Sequence, residues 1–230
     1  MSPDQHPAIR TLGIIGAGRI GRAVAALSRA AGLEVAVAAS REPESFRAQV
    51  EAAAPGAHAV SLTDAVTADA VVLAIPLSRL EALPAPAFEG ALVIDAMNYW
   101  WELDGRLPAF EDLLTSSSEV VQRHLAGARV VKTLNHLSAY ALEELARPAD
   151  SPDRIALAIA GDHPQDVDAV EALVDDWGFD PVLAGPLAEG MRFEPGTELF
   201  GADADAVEAR EMLERFWDSQ RGRVIARARR

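Results

Sequence analysis

Short runs of Val, Ile, Leu and Ala alternate along this chain with stretches whose apolar residues recur every three or four positions. Continuous apolar runs of four to six residues fit strands, and the longer period fits helices laid against them. The alternation predicts crossover units on a mostly parallel sheet. The first strand is expected at residues 11–15 (Thr11-Leu12-Gly13-Ile14-Ile15). A helix over 19–31 follows, with Ile20, Val24 and Leu27 on one face and Gly32 as its stop. A second strand is expected at 34–39, then a helix from Pro43 to about residue 53. Further strands are expected at 58–62, 70–75, 91–94 and 129–133. The 70–75 run is wholly apolar, as a strand covered on both faces requires. A long connection fills 97–117. Ser138 reads as the N-cap of a helix ending before Pro148. After a linker at 146–152, a strand at 155–160, a helix at 164–177 and a strand at 181–184 form one more unit. Residues 203–220 read as a final helix with Val207, Met212, Leu213, Phe216 and Trp217 facing inward.

The pattern predicts an α/β chain: a Rossmann-type, doubly wound, mostly parallel sheet forming one domain over residues 1–230. Its dinucleotide-binding core would span 10–145, and a small C-terminal α/β extension with the final helix would span 153–230. A long all-helical second domain is not expected.

The first strand runs into Gly16-Ala17-Gly18-Arg19-Ile20-Gly21 and then a helix. Spacing of this kind is common by chance, but strand before and helix after are what dinucleotide binding needs. Gly16 would make the tight turn, Gly18 would let a pyrophosphate approach the backbone, and Gly21 would let helix and strand pack closely. The helix start would offer free N–H groups and positive potential to phosphates. An acid at the end of the second strand would select NAD by binding the ribose 2′-OH. This chain has Ala39-Ser40-Arg41 there instead. Ser40 and Arg41 suit a 2′-phosphate, which favours NADP. The alternative is that Arg41 is a solvated loop charge and Glu42 meets the ribose.

Composition narrows the remaining chemistry. The net charge is −14, which disfavours nucleic acid as a partner. There is no cysteine, so thiol and disulfide chemistry are excluded, as expected for a cytoplasmic protein. Residues 1–10 are polar and do not read as a signal peptide, and no apolar run is long enough to span a membrane. Lys132 is the single lysine, so a lysine nucleophile has one candidate. Its better reading is a charge reaching out from a strand end. None of His6, His58, His124, His136 and His163 forms a metal-ligand pair by spacing. The serines lack a nucleophile-elbow setting, so a hydrolase is not expected.

In an open parallel sheet the ligand lies beyond the C-terminal strand ends. Ile75 and Pro76, then Asp95 to Asn98, then Thr133 to Ser138 arrive there. His136 could donate a hydrogen bond or a proton to an acceptor, or merely cap its loop. Asp95 could act chemically or satisfy backbone N–H groups. Tyr99-Trp100-Trp101 could stack on a planar ring, plug the core or meet a second copy. The arginines at 221, 223, 227, 229 and 230 could pair with an anion, but read better as a solvated end.

The chain resembles the coenzyme F420-dependent NADP oxidoreductases. The resemblance is carried by residues 12–21, Ser40-Arg41, Val72-Leu73-Ala74-Ile75-Pro76, Val93-Ile94-Asp95-Ala96-Met97-Asn98, Val131-Lys132-Thr133-Leu134-Asn135, Ala158-Ile159-Ala160-Gly161-Asp162 and Ala184-Gly185-Pro186-Leu187. It departs from that family's pattern at Leu77, at residues 99–101 and beyond Phe200. The resemblance implies hydride transfer between NADP(H) and a deazaflavin, coenzyme F420, or a flavin-like acceptor. It implies that Ser40 and Arg41 hold the 2′-phosphate and that Ile75 and Pro76 shape the nicotinamide side. Asn135, His136, Leu137 and Ser138 would line the second ring's site, partly through backbone groups; Asn98, at the end of the fifth strand, is counted with the cofactor-binding residues. The resemblance and the apolar residues of the final helix allow a homodimer; the alternative is that Met212, Phe216 and Trp217 dock that helix on its own core. The alternatives are an NADPH-dependent reductase of another small substrate (a carbonyl, an imine or a metal ion) and a non-catalytic NADP-binding protein.

Overall fold

The computed structural model describes residues 9–229. The polar N-terminus through residue 8, with His6, and Arg230 of the arginine-rich end lie outside the described residues. Strand β1 (Thr11–Ile15) leads into helix α1 (Arg19–Ala30) and back to β2 (Glu34–Ala38). Helix α2 (Arg47–Ala53), strand β3 (His58–Ala59) and the one-turn α3 (Leu62–Ala65) precede β4 (Ala70–Leu73). After β5 (Leu92–Asp95) come α4 (Trp101–Asp104), α5 (Ser117–His124), β6 (Arg129–Lys132) and α6 (Ala139–Glu144). The chain closes with β7 (Ala156–Gly161), α7 (Pro164–Asp176), β8 (Asp180–Gly185), α8 (Ala206–Arg215) and α9 (Gln220–Ala228).

The strands form one eight-stranded sheet in the order β3-β2-β1-β4-β5-β6-β7-β8. Every pairing is parallel except β6 with β7. The winding reverses between β1 and β4, the switch point at which such sheets bind ligands. Both faces are covered. Leu12, Ile14, Val72 and Ile94 belong to one buried cluster, and Ile15, Val71, Leu73 and Val93 to another. β7 pairs with β6 through Val131 with Gly161 and Lys132 with Ala160. Being antiparallel, it carries residues 156–159 past the end of β6, beside the 133–138 loop.

Several expected elements differ in detail. The third strand ends at Ala59, because Ser61 accepts from the Asp64 N–H and starts α3. The helix expected from Pro43 is a short 3-10 turn (Pro43–Ser45) followed by α2. The 97–117 connection contains α4, and Ser116 and Glu119 form a reciprocal capping box that starts α5. The final helix is two helices. Ser219 accepts from the Gly222 N–H and begins α9, so the arginine-rich end is ordered helix through Ala228. Val207 is 65 % exposed, not inward, whereas Leu213 and Phe216 are buried as expected.

Candidate dinucleotide site

The glycine loop meets the geometric demands read from its sequence. Gly16 has φ +124°, a conformation unfavourable for any side chain, and its N–H donates to the Ala38 carbonyl at 2.8 Å. A β-carbon at Gly21 would collide with the Gly16 carbonyl oxygen, so helix and loop touch there. A β-carbon at Gly18 would meet nothing within 4 Å. Gly18 is also the N-cap of the 12-residue α1, with no side-chain cap and no acid in the first turn. The N–H groups of that turn therefore keep their capacity for an anion. Arg22 steadies the loop by donating to the Ala17 carbonyl at 3.1 Å.

Two grooves flank this loop. The first, about 550 Å³, is lined by Gly16, Ala17, Gly18, Ser40, Arg41, Ile75, Pro76 and Arg79, among others. None of its lining residues is acidic, although the chain has 35 Asp and Glu. Arg41 lies 5.6 Å from the Phe46 ring centre and donates to Gln49 Oε1 at 3.3 Å, which orients its guanidinium. Arg79 is a lining residue that the sequence pattern does not reveal. It sits in a 3-10 turn (Leu77–Ala82) after β4, and no motif marks it.

The second groove, about 420 Å³, is lined by Arg19, Ile20, Asn98, Trp100, Asn135, His136, Leu137, Ser138, Tyr140 and Phe200, among others. Every expected site residue except Gly21 thus borders one groove or the other. Asn98 and Asn135 lock together: Asn98 Nδ2 donates to the Asn135 carbonyl at 2.7 Å, and Asn135 Nδ2 donates to Asn98 Oδ1 at 3.1 Å. Asn135 Nδ2 also donates to the Phe193 carbonyl at 2.9 Å. Leu134, just before, has φ +68°, a rare conformation for a branched side chain. The buried Thr133 Oγ1 and Asn135 Oδ1 have no hydrogen-bond partner. Strain and unmet polar capacity at one strand end are features of ligand loops.

The three consecutive aromatics have different surroundings. Tyr99 packs on Phe110, and its hydroxyl accepts from the Leu107 N–H and donates to the Gly105 carbonyl. Trp100 meets Phe200 edge-on at 5.5 Å and borders the second groove. Trp101 is exposed.

Two expectations require correction. His136 is not poised as a proton donor. Its Nε2 accepts from the Ala158 N–H at 3.0 Å, which binds the loop to β7. Burial pushes its imidazole from 6.5 to about 4, only partly offset by the Leu199 carbonyl, so the ring is neutral near pH 7. Lys132 does not reach into solvent. It is wholly buried, donating to Ser117 Oγ at 3.0 Å and the Met97 carbonyl at 3.3 Å, with Asp95 Oδ2 at 3.5 Å. Asp95 is buried as well; it accepts from the Met97 N–H at 2.9 Å and the Ser118 hydroxyl at 2.5 Å. Glu194 completes the cluster, accepting from the Ser117 N–H and from Arg221. Burial raises the Glu194 carboxyl, but Lys132, Arg221 and the Ser117 N–H outweigh it and hold the group below its ordinary value.

Comparison with known proteins agrees with this fold. The chain is 32 % identical to the hypothetical protein SMa0349 from Sinorhizobium meliloti, with 85 % of this chain and 95 % of that one covered and a TM-score of 0.71. A structure from Arthrobacter sp. FB24, provisionally named an F420 dependent NADP-reductase, superposes with a TM-score of 0.63 at 23 % identity, over 94 % of this chain and 95 % of that one. The Escherichia coli (strain K12) protein YjhV is 42 % identical over 80 residues, which are 35 % of this chain; the chain spans 56 % of that relative's length. Residues 11–99 match the family model described as NADP oxidoreductase, coenzyme F420-dependent. This stretch, which holds the glycine loop and the Ser40-Arg41 pair, is the part of the chain that belongs to the coenzyme F420-dependent NADP oxidoreductase family.

Proposed function

We propose that this protein binds NADP(H) across the glycine loop and transfers hydride between it and a planar acceptor, a deazaflavin such as coenzyme F420 or a flavin-like ring. The carrying observation is the pair of grooves meeting at one loop. One groove is arginine-lined and free of carboxylates, and the other is lined by amides and aromatics. The residues present fit the dinucleotide. Gly18 leaves room for a pyrophosphate, α1 offers its free N–H groups, and Ser40, Arg41 and Arg79 suit a 2′-phosphate. When bound, NADPH supplies the hydride. Ile75 and Pro76 give one wall of its path, and the Asn98–Asn135 pair with Ser138 gives the other its polar groups. Trp100 and Phe200 narrow that side and exclude water. Transfer between two rings needs alignment more than an acid or base, which fits a site where the one histidine is tied to the backbone. A homodimer belongs to the same proposal; light scattering on the purified protein tests it.

Titrating the protein with NADPH and NADH tests the cofactor. Arg41→Ala and Arg79→Ala should each weaken NADPH by roughly tenfold, the scale of one exposed charge-assisted contact, and leave NADH nearly unchanged. Equal native affinities for the two nucleotides would remove the NADP claim. Loss of the deazaflavin's visible band when NADPH is mixed with oxidised coenzyme F420 and catalytic amounts of protein supports that acceptor. No loss, with NADPH still bound, points to another small substrate or to binding without catalysis.

A further inference from the structure

We infer that the buried chain of charge from Asp95 through Lys132 and Glu194 to Arg221 is a positioning device that sets the acceptor-side groove through the C-terminal helix α9. This rests on the functional reading above, because the groove is taken as the place where the nicotinamide meets its acceptor. The cluster controls the backbone at Met97 from both sides. Asp95 Oδ1 accepts from the Met97 N–H at 2.9 Å, and Lys132 Nζ donates to the Met97 carbonyl at 3.3 Å. Asn98, the next residue, holds Asn135 by two hydrogen bonds, and both side chains border the groove. A second path arrives at the same amide. Asn135 Nδ2 donates to the Phe193 carbonyl at 2.9 Å, and the residue after Phe193 is Glu194. Glu194 accepts from the Ser117 N–H at 2.6 Å, Ser117 Oγ accepts from Lys132 at 3.0 Å, and Arg221 of α9 reaches Glu194 Oε2 at 2.9 Å. Met97 and Phe193 thus each connect to the Asn98–Asn135 pair, and the same charges join the two.

Buried charges keep few arrangements, since each must retain a partner. A shift of Glu194 therefore moves Lys132 or leaves it short of a counter-charge. The fold makes room for this arrangement: a β-carbon at Gly190 would come within 2.7 Å of Lys132 Cδ. None of these charged side chains lines either groove by the glycine loop, so none is placed to touch cofactor or acceptor. They act through the backbone and the amide pair.

The test uses the full chain carrying Arg221→Gln, Glu194→Gln or Arg221→Lys. Three quantities are read: NADPH affinity, fluorescence anisotropy of the bound reduced nicotinamide, and turnover with oxidised coenzyme F420. The two Gln variants should hold NADPH within about threefold of native, because the phosphate grip lies in the other groove, yet lose about tenfold in kcat with a more mobile ring. Arg221→Lys should restore both. Arg221 is part-exposed, so its variants spare the fold more than changes at Lys132 would. Native-like anisotropy in both Gln variants, with only the melting temperature lowered, overturns the inference. The anisotropy arm holds whatever the acceptor is. A native protein that binds no NADPH instead overturns the functional reading and removes the basis of this one.

Discussion

At the scale of single residues, the second and third glycines of the loop make opposite demands, and two substitutions separate them. Gly18 has φ −74° and ψ −170°, a backbone any residue adopts, and open space where a β-carbon would stand. Gly18→Ala should leave the fold intact and gain about 0.4–1 kcal/mol by restricting the unfolded chain. Its methyl group would occupy the space proposed for the pyrophosphate, so NADPH affinity should fall by about tenfold or more. Gly21→Ala meets the Gly16 carbonyl instead and should cost about 1–3 kcal/mol as overpacking. Thermal melting with and without NADPH distinguishes the two. A Gly18→Ala protein that gains as much from NADPH as native protein would show that the nucleotide does not sit at this turn. The sequence made these roles legible because each depends on neighbours within five residues. Lys132 was not legible for the opposite reason. Its partners Asp95, Ser117 and Met97 arrive from across the chain, and a strand-end lysine pattern looks the same buried or exposed. Its standing as the one lysine beside twenty arginines was the available hint.

At the scale of elements, the strands that build the site were readable from their apolar runs, and the pieces between them less so. β1 falls where the pattern placed it. The two-residue β3 and the break between α8 and α9 were hidden, because caps at Ser61 and Ser219 override an apolar period that continues across them. The 133–138 loop shows how an element can carry a pH response. His136 Nε2 accepts from Ala158 N–H of β7, and burial lowers the ring's pKa from 6.5 to about 4. In the folded state the proton is bound only below about 4. In the unfolded chain it binds from about 6.5. The unfolded state therefore holds more protons between these values, and stability rises with pH across that window. The contribution is fully present above 6.5 and lost as pH falls toward 4, by roughly 3 kcal/mol at most. His136→Gln keeps an acceptor for Ala158 without a titrating ring. Its melting temperature should vary less than that of native protein between pH 6.5 and 4. Parallel curves for the two proteins would mean that the ring does not carry this dependence.

At the scale of the whole molecule, the C-terminal helix closes the fold over a small apolar cluster. Met191, Phe216 and Ile225 are buried together there, with Trp217 against them. Two ion pairs reach back to the 187–194 segment, from Arg221 of α9 to Glu194 and from Arg229, its C-cap, to Glu189, both at 2.9 Å or less. From sequence this end reads as a solvated tail, because its arginines have no acids beside them; the acids that pair with Arg221 and Arg229 lie 27 and 40 positions earlier. What lets α9 approach is Gly222. A β-carbon there would strike the Phe216 carbonyl and stand 2.8 Å from Trp217 Cα, both backbone atoms that cannot swing aside. Gly222→Ala should therefore push α9 off its seat rather than strengthen it, although alanine favours helices by about 1 kcal/mol over glycine. An overpacking cost of about 1–3 kcal/mol would lower the melting temperature by about 3–10 °C for a chain of this size. Trypsin offers a local readout, since α9 carries Arg221, Arg223 and Arg227 and is protected while it stays docked. The variant should be cut within α9 at a protease level that native protein resists. Unchanged cleavage and a raised melting temperature would show that the helix tolerates the methyl group, and that the ion pairs rather than the close backbone contact hold it.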